Sequence, residues 1–182
     1  MSWGSLRREI RFVSGDNPSP VVSIIDTATN LIVGNITVGA GASHMALTPD
    51  DGRLYLAHEN NVASVIDTVA QRVLATFPVA PAGLGSRRVA IRPDGKRAYF
   101  TIPNTSPGLA VLDIDAGSPT YHTVVANVPI PAGQGVAIMR DGRRAYVAHC
   151  SNMVSVVDIQ ANQATGTVTL PTAAGCEVAT QP

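Results

Sequence analysis

One pattern occurs four times along the chain and constrains its fold more than any other feature. An aliphatic run that ends in aspartate appears at Val21–Asp26, Val62–Asp67, Leu109–Asp113 and Met153–Asp158. Successive aspartates are 41, 46 and 45 residues apart. Because self-similarity at a nearly constant spacing is typical of repeat architectures, the chain is predicted to be an array of similar units.

Three further landmarks recur within the units and predict short strands joined by tight turns. The Asp-Gly turns lie at Pro49–Gly52, Pro93–Gly95 and Arg140–Gly142, the apolar runs before them begin at Met45, Val89 and Val136, and the tyrosines after them are Tyr55, Tyr99 and Tyr146. Asp-Gly between apolar runs is a hairpin signal because glycine accepts a positive φ. No stretch has a sustained helical period. The sequence therefore predicts an all-β fold, a β-propeller of four-stranded antiparallel blades.

The order of the landmarks gives the number of blades. If the strands of a blade are named A to D from the central channel outward, the chain begins with B, C and D at about 9–14, 20–26 and 31–38. Three complete blades follow, and a single strand A at about 175–181 ends the chain. The prediction is thus about four blades and 16 strands, with a first blade split between the two ends. Residues 1–8 are expected to be an N-terminal tail and 9–182 the propeller, with repeats at about 20–61, 62–104, 105–152 and 153–182.

Three arrangements are compatible with this count, and the sequence leaves them open. The chain closes as a four-bladed ring, or two chains exchange the last strand and close as an eight-bladed dimer. In the third arrangement the chain is an open arc, a fragment that lacks further blades. An open arc leaves one blade face and two sheet edges exposed, which is an aggregation liability.

Composition excludes several classes of function. Lys+Arg and Asp+Glu are both 13, so the formal net charge is zero and no basic excess is present to neutralise phosphates of a nucleic acid. Charged residues make up only 14% and apolar residues 45%, which argues against a disordered chain. No apolar run approaches the ~20 residues of a membrane span. The first ten residues contain two arginines without an apolar segment after them, so no signal peptide is expected.

The landmarks together resemble the YVTN-family β-propeller repeat. The resemblance is carried by Val65–Thr68, Thr37–Gly39, Pro93–Tyr99 and Tyr146–Ala148, and it extends over about residues 10 to 182. The family usually forms seven blades, and its relatives include lactonases, the β-chain of quinoprotein amine dehydrogenases and the haem d1 domain of nitrite reductases. The resemblance implies a bacterial or archaeal surface or extracytoplasmic protein, and it says little about activity. The family's last motif residue, Asn, is replaced here by His58, Ile102 and His149.

Most acidic residues are predicted to have structural roles in turns. Eight of the ten aspartates lie in hairpin positions, where a carboxylate accepts hydrogen bonds from the turn backbone: Asp26, Asp50, Asp51, Asp67, Asp94, Asp113, Asp141 and Asp158. No catalytic residue is therefore assigned, and neither a metal nor a cofactor is expected.

The B–C and D–A loops share one face of a propeller, at the mouth of its channel, where loops on a rigid scaffold usually bind ligands. The aligned positions at the start of strand A are His44, Arg88, Gly135 and Glu177. Since these four differ, they form a candidate ligand site together with Arg87 and Gln134, with His44 as base or ligand, Glu177 as acid or ligand, and an arginine holding an anion. The alternative is that these positions line a hydrated channel and accept any polar residue, without a role in binding.

Five other histidine or cysteine positions are predicted to lie near the loops or at the rim. His58 and His149 occupy the same position at the end of strand B and are expected to bond the B–C loop rather than a metal, because equivalent positions two blades apart are too distant for one ion. Cys150 and Cys176 fall on this face in neighbouring blades, as one disulfide or as two free thiols. His122 is expected to be exposed at the rim.

The sequence thus favours a non-catalytic β-propeller scaffold that presents its B–C and D–A loop face to a protein or small ligand. The resemblance leaves two alternatives: a lactonase-like hydrolase of a small ester, and a redox or haem-associated propeller. Partners are expected to exclude nucleic acid, and a homodimer that completes a larger propeller is an open alternative.

Overall fold

The structure is a computed structural model that describes residues 10–15, 20–81, 84–103, 107–172 and 178–179. The described residues contain fifteen strands and no helix. The first seven strands are β1 (Ile10–Gly15), β2 (Val21–Asp26), β3 (Leu31–Thr37), β4 (Ala42–Leu47), β5 (Arg53–His58), β6 (Val62–Asp67) and β7 (Arg72–Pro78). The remaining eight are β8 (Val89–Ile91), β9 (Arg97–Thr101), β10 (Leu109–Asp113), β11 (Val124–Val128), β12 (Gly135–Ile138), β13 (Arg144–Ala148), β14 (Met153–Asp158) and β15 (Gln163–Thr169). None of the described segments is a helix able to cross a membrane.

The strands form four antiparallel sheets in chain order, and the predicted all-β propeller of four blades is confirmed. Blade 1 contains β1–β3, blade 2 contains β4–β7, blade 3 contains β8–β11 and blade 4 contains β12–β15. Blade 1 begins with strand B, as predicted. The predicted closing strand A at about 175–181 falls mostly outside the described residues, and Val178 and Ala179 are not in a strand. That strand therefore stays a prediction.

The repeated turns form for the local reasons that the sequence indicates. In blade 2, Oδ1 of Asp67 accepts hydrogen bonds from the backbone N–H groups of Val69 and Ala70, at 3.0 and 2.8 Å. These bonds hold the pKa of Asp67 below its ordinary value of 3.8. Gly95 has a φ of 70°, and Asp51 adopts 58° at the aligned position. Turn chemistry alone thus explains the recurring aspartates.

The core consists of three apolar clusters, one between each pair of successive blades. Ile24 of blade 1 packs with Leu56 of blade 2, and blades 2 and 3 share a cluster around Phe100. Blades 3 and 4 share a cluster that includes Tyr99 and Val147. Within the described residues no such cluster joins blade 4 to blade 1.

Burial along strand C shows the same difference between an inner blade and the two end blades. All five residues of β10 in blade 3 are buried, because this sheet has a neighbour on both faces. In β2 of blade 1, buried and half-buried residues alternate strictly, and β14 of blade 4 shows a similar alternation. Since successive side chains of a strand point to opposite faces, the described residues pack on only one face of each end blade. The described blades form an arc with an unpacked sheet face at each end.

Candidate functional site

The channel mouth brings together three of the four residues predicted to share one position. His44 in β4, Arg88 just before β8 and Gly135 at the start of β12 line a cavity of about 90 Å³, together with Val136 and Val178. Blades 2, 3 and 4 therefore each contribute the predicted residue. Glu177, the fourth predicted residue, lies outside the described residues, as do the parts of the chain on either side of Val178–Ala179.

Hydrogen bonds between blades hold this site in place. The backbone N–H of Val89 donates to Nδ1 of His44 across 3.4 Å, so neutral His44 carries its proton on Nε2 and is a donor there. The backbone N–H of Arg88 donates to Thr101 Oγ1 at 3.0 Å, and that hydroxyl donates to the backbone carbonyl of Gln134 at 3.2 Å. These bonds therefore link the His44 side chain of blade 2 to backbone groups of blade 3, and blade 3 to the backbone that leads into blade 4.

Arg87 and Gln134 do not line the cavity with the other residues. The Arg87 guanidinium lies 3.5 Å from the carboxylate of Glu59, and about half of each side chain is exposed. Exposed pairs of this kind contribute little to stability. Arg87 thus lies at the rim of the loop face rather than in the cavity. Gln134 contributes main-chain groups, since its N–H donates to the carbonyl of Ala148 at 2.9 Å.

The two equivalent histidines make equivalent hydrogen bonds inside their own blades. His58 is fully buried, with Nδ1 3.1 Å from the carbonyl oxygen of Ala40 and Nε2 2.9 Å from Ser64 Oγ. His149 repeats the arrangement with Ala132 at 3.1 Å and Ser155 at 2.8 Å. Each ring thus ties the D–A loop to strand C. The expectation that these rings bond the B–C loop is wrong, because their Nδ1 atoms point to the D–A loop that precedes the same blade.

In blade 3, both the histidine and the serine of this hydrogen bond are replaced by apolar residues. Ile102 occupies the histidine position and Ala110 the serine position, and both are buried. A buried imidazole needs a polar partner, whereas an isoleucine needs none. Burial lowers the pKa of His58 below its ordinary value of 6.5. The paired replacement indicates a structural role for these histidines.

Only one of the two cysteines of the predicted disulfide is among the described residues. Cys150 follows β13 with a positive φ of 49°, and in the structure it is disulfide-bonded. Cys176 lies outside the described residues, so the pairing of Cys150 with Cys176 stays a prediction.

His122 forms an aromatic cluster that sequence reasoning missed. Instead of being exposed, its ring stacks on Tyr121 at 3.7 Å and on Phe77 of blade 2 at 4.5 Å between centroids, and Nε2 lies 3.1 Å from the hydroxyl of Tyr55. Burial lowers its pKa. The repeat alignment could have indicated a structural position for His122, because it aligns with the residue of positive φ in each of the other C–D hairpins: Asn30, Gln71 and Asn162. Gln71 also packs on the preceding blade, at Gly34.

Two surface grooves follow from this repeated packing. A groove of about 450 Å³ lies between blades 2 and 3, lined by Pro78–Pro81, by His122–Val124 and by Asn127. Its counterpart of about 580 Å³ between blades 3 and 4 is lined by Ala126, Asn127, Pro129 and Ala161–Ala164. Because the same groove recurs at aligned positions, it is a consequence of blade geometry rather than a specific site. Among the described residues no three His, Cys, Asp or Glu side chains form a group able to hold a metal ion.

Comparisons with known proteins identify the fold and nothing finer. A structure titled "Kuenenia stuttgartiensis Hydrazine Synthase" matches with a TM-score of 0.77 at 19% sequence identity. The match covers 88% of this chain but only 46% of that chain, so this chain spans about half its length. No family model matches the sequence, and no curated protein matches it.

Proposed function

We propose that the chain is a non-catalytic binding module of the YVTN repeat type whose channel mouth holds a carboxylate group of its ligand. The observation that supports this proposal is the convergence of His44 and Arg88 on one small cavity. Aligned positions of different blades carry different side chains there, while the aspartates of the turns repeat from blade to blade. This contrast supports a role in recognition rather than in folding.

The chemistry of the cavity favours a carboxylate. A guanidinium offers a planar fork of N–H donors that suits a carboxylate in a bidentate pair. The protonated Nε2 of His44 supplies a further donor. His44 and Arg88 also have other interactions in the structure, so a ligand would have to compete with them. When His44 is neutral, the guanidinium of Arg88 and Nε2 of His44 are both hydrogen-bond donors. A ligand group that only accepts hydrogen bonds, such as a carboxylate, complements them.

The size of the cavity limits what enters it. A volume of about 90 Å³ is well below the roughly 300–1,000 Å³ of typical small-molecule pockets. Only the tip of a ligand therefore fits, such as the carboxylate of an aspartate or glutamate side chain or of a small acid. The remainder of the ligand would lie on the B–C and D–A loops. The lactonase-like and haem-associated alternatives rest on the resemblance alone.

The experiment compares acetate with acetamide, its neutral analogue, by amide NMR of the labelled protein. We expect saturable shifts of the Val89 and Gly135 resonances with acetate and no saturable shift with acetamide. Arg88→Gln should weaken acetate binding by at least about tenfold, the size of a lost charge-assisted hydrogen bond, whereas Arg72→Gln in the blade 2 hairpin should not. Glu177→Gln is a third variant, in which tighter binding would identify the carboxylate of Glu177 as a competitor.

Equal responses to acetate and acetamide would contradict the proposal. So would an unchanged affinity in the Arg88→Gln variant, or a loss of equal size in the Arg72→Gln control.

A further inference from the structure

The two faces of each blade have different roles in packing. The motif tyrosine points to the following blade, and Tyr55 and Tyr99 are 1% exposed in the resulting clusters. Phe12 takes the same position in blade 1 and packs on blade 2. We call this side of the sheet the tyrosine face and the opposite side the receiving face. Every internal interface therefore joins a tyrosine face to the receiving face of the next blade.

Blade 4 ends the arc with a tyrosine face that lacks a neighbour among the described residues. Tyr146 is half-buried, although the aligned Tyr55 and Tyr99 are almost fully buried. Val156, which pairs with Tyr146 across the strands, and Val154 are also half-buried. The aligned valines of blades 2 and 3, Val65 and Val111, are 0% exposed. The tyrosine face of blade 4 thus carries the same types of side chain that form interfaces in blades 2 and 3, but these side chains are less buried.

Blade 1 begins the arc with an unpacked receiving face. Val13 is 49% exposed, although Leu56, Phe100 and Val147 at the aligned position are 0% exposed. Ile25 is half-buried, and it aligns with residues that are fully buried in the other three blades: Ile66, Leu112 and Val157. Apolar side chains therefore persist in the positions that receive a tyrosine face in blades 2, 3 and 4.

We propose that these two faces bind each other between two copies of this chain, so that blade 4 of each copy packs on blade 1 of the other. Two arcs of four blades then form a closed eight-bladed ring with two-fold symmetry. The proposal is independent of the channel-mouth site and rests on the same pairing rule that the three internal interfaces follow.

A second copy fits the geometry of the arc. The arc superposes on 46% of the hydrazine synthase chain with a TM-score of 0.77, so the arrangement of its blades is compatible with a longer propeller-containing chain. Strands about 4.8 Å apart and about 17 Å long give about 330 Å² for the four-stranded face of blade 4 and about 240 Å² for the three described strands of blade 1. Two such contacts, each covering both faces, bury about 1,100 Å², which exceeds the ~1,000 Å² expected of a biological interface.

The test measures the mass of the purified chain by size-exclusion chromatography with light scattering. We expect twice the chain mass of 18.9 kDa for the unmodified protein and for Val69→Lys, a control at an 88% exposed position outside both faces. Tyr146→Glu and Val13→Lys should each raise the dimer dissociation constant about 30-fold or more, as expected for loss of an interface anchor. Far-UV circular dichroism of each variant checks that the blades are folded.

Mixing the two variants tests the arrangement itself. A heterodimer of Tyr146→Glu with Val13→Lys has one unmodified contact and one contact that pairs opposite charges, so mixing should restore the dimer. A monomeric unmodified protein would overturn the proposal, and so would open oligomers that grow with concentration. A dimer that survives both variants, or a mixture that stays monomeric, would equally show that these faces do not join two copies.

Discussion

Removing the hydroxyl of Ser64 should destabilise the fold far more than the size of the group suggests. His58 is 0% exposed and its Nε2 has Ser64 Oγ as partner at 2.9 Å. In Ser64→Ala the imidazole nitrogen is left buried without a partner, which costs about 1–3 kcal/mol. The lost bond between Ser64 and Thr76, at 3.1 Å, adds a smaller amount because Thr76 is exposed and reaches water. We expect a total loss of about 2 kcal/mol.

Replacing His58 as well should recover part of this loss. The second variant, His58→Ile with Ser64→Ala, reproduces the pair Ile102 and Ala110 that blade 3 already buries. Exchanging both partners of a buried hydrogen bond for apolar groups is close to neutral, whereas removing one partner is not. The double-mutant cycle should therefore show a coupling of at least about 1 kcal/mol between the two positions.

The free energy of unfolding is measured from urea transitions followed by far-UV circular dichroism. Ser155→Ala serves as a control, because its partner His149 is only half-buried and its freed nitrogen has better access to water. A smaller loss is expected there. Additive effects of the two blade 2 substitutions, to within about 0.5 kcal/mol, would refute the reasoning. A double variant less stable than Ser64→Ala would refute it as well.

Further predictions concern pH, a buried carboxylate and two glycines. The folded-state pKa values of His58 and His122 lie below 6.5, so the unfolded chain binds more protons below that pH. The free energy of unfolding, measured by urea titrations, should therefore decrease as the pH is lowered from about 7 to about 5. Asp113 is fully buried against Arg97 at 2.6 Å, so Asp113→Ala should cost about 3 kcal/mol, more than the same change at the equivalent aspartate of blade 4. A Cβ at Gly108 would lie 2.0 Å from a backbone oxygen, whereas one at Gly166 meets nothing within 4 Å. Gly108→Ala should therefore lower the melting temperature strongly, and Gly166→Ala should raise it slightly.

The candidate site could be predicted in part because a repeat defines its own alignment. His44, Arg88 and Gly135 were placed together by counting from the turns, and the structure finds them around one cavity. The partners of His58 were not predicted correctly, since the Ala40 carbonyl lies 18 residues away in a loop whose path depends on the neighbouring blade. His122 was missed for a similar reason, because its stacking partner Phe77 belongs to another sheet.

The sequence by itself determined the blades, because hairpin turns and strand alternation depend on residues that are close along the chain. Asp67 bonds to backbone groups two and three residues away, and Asp26 and Asp158 repeat both bonds. Only the tertiary structure decided which sheet faces are covered. Tyr99 and Tyr146 share one motif, yet Tyr99 is buried and Tyr146 is not. Burial depends on what lies opposite in space, and a motif carries no information about its neighbour.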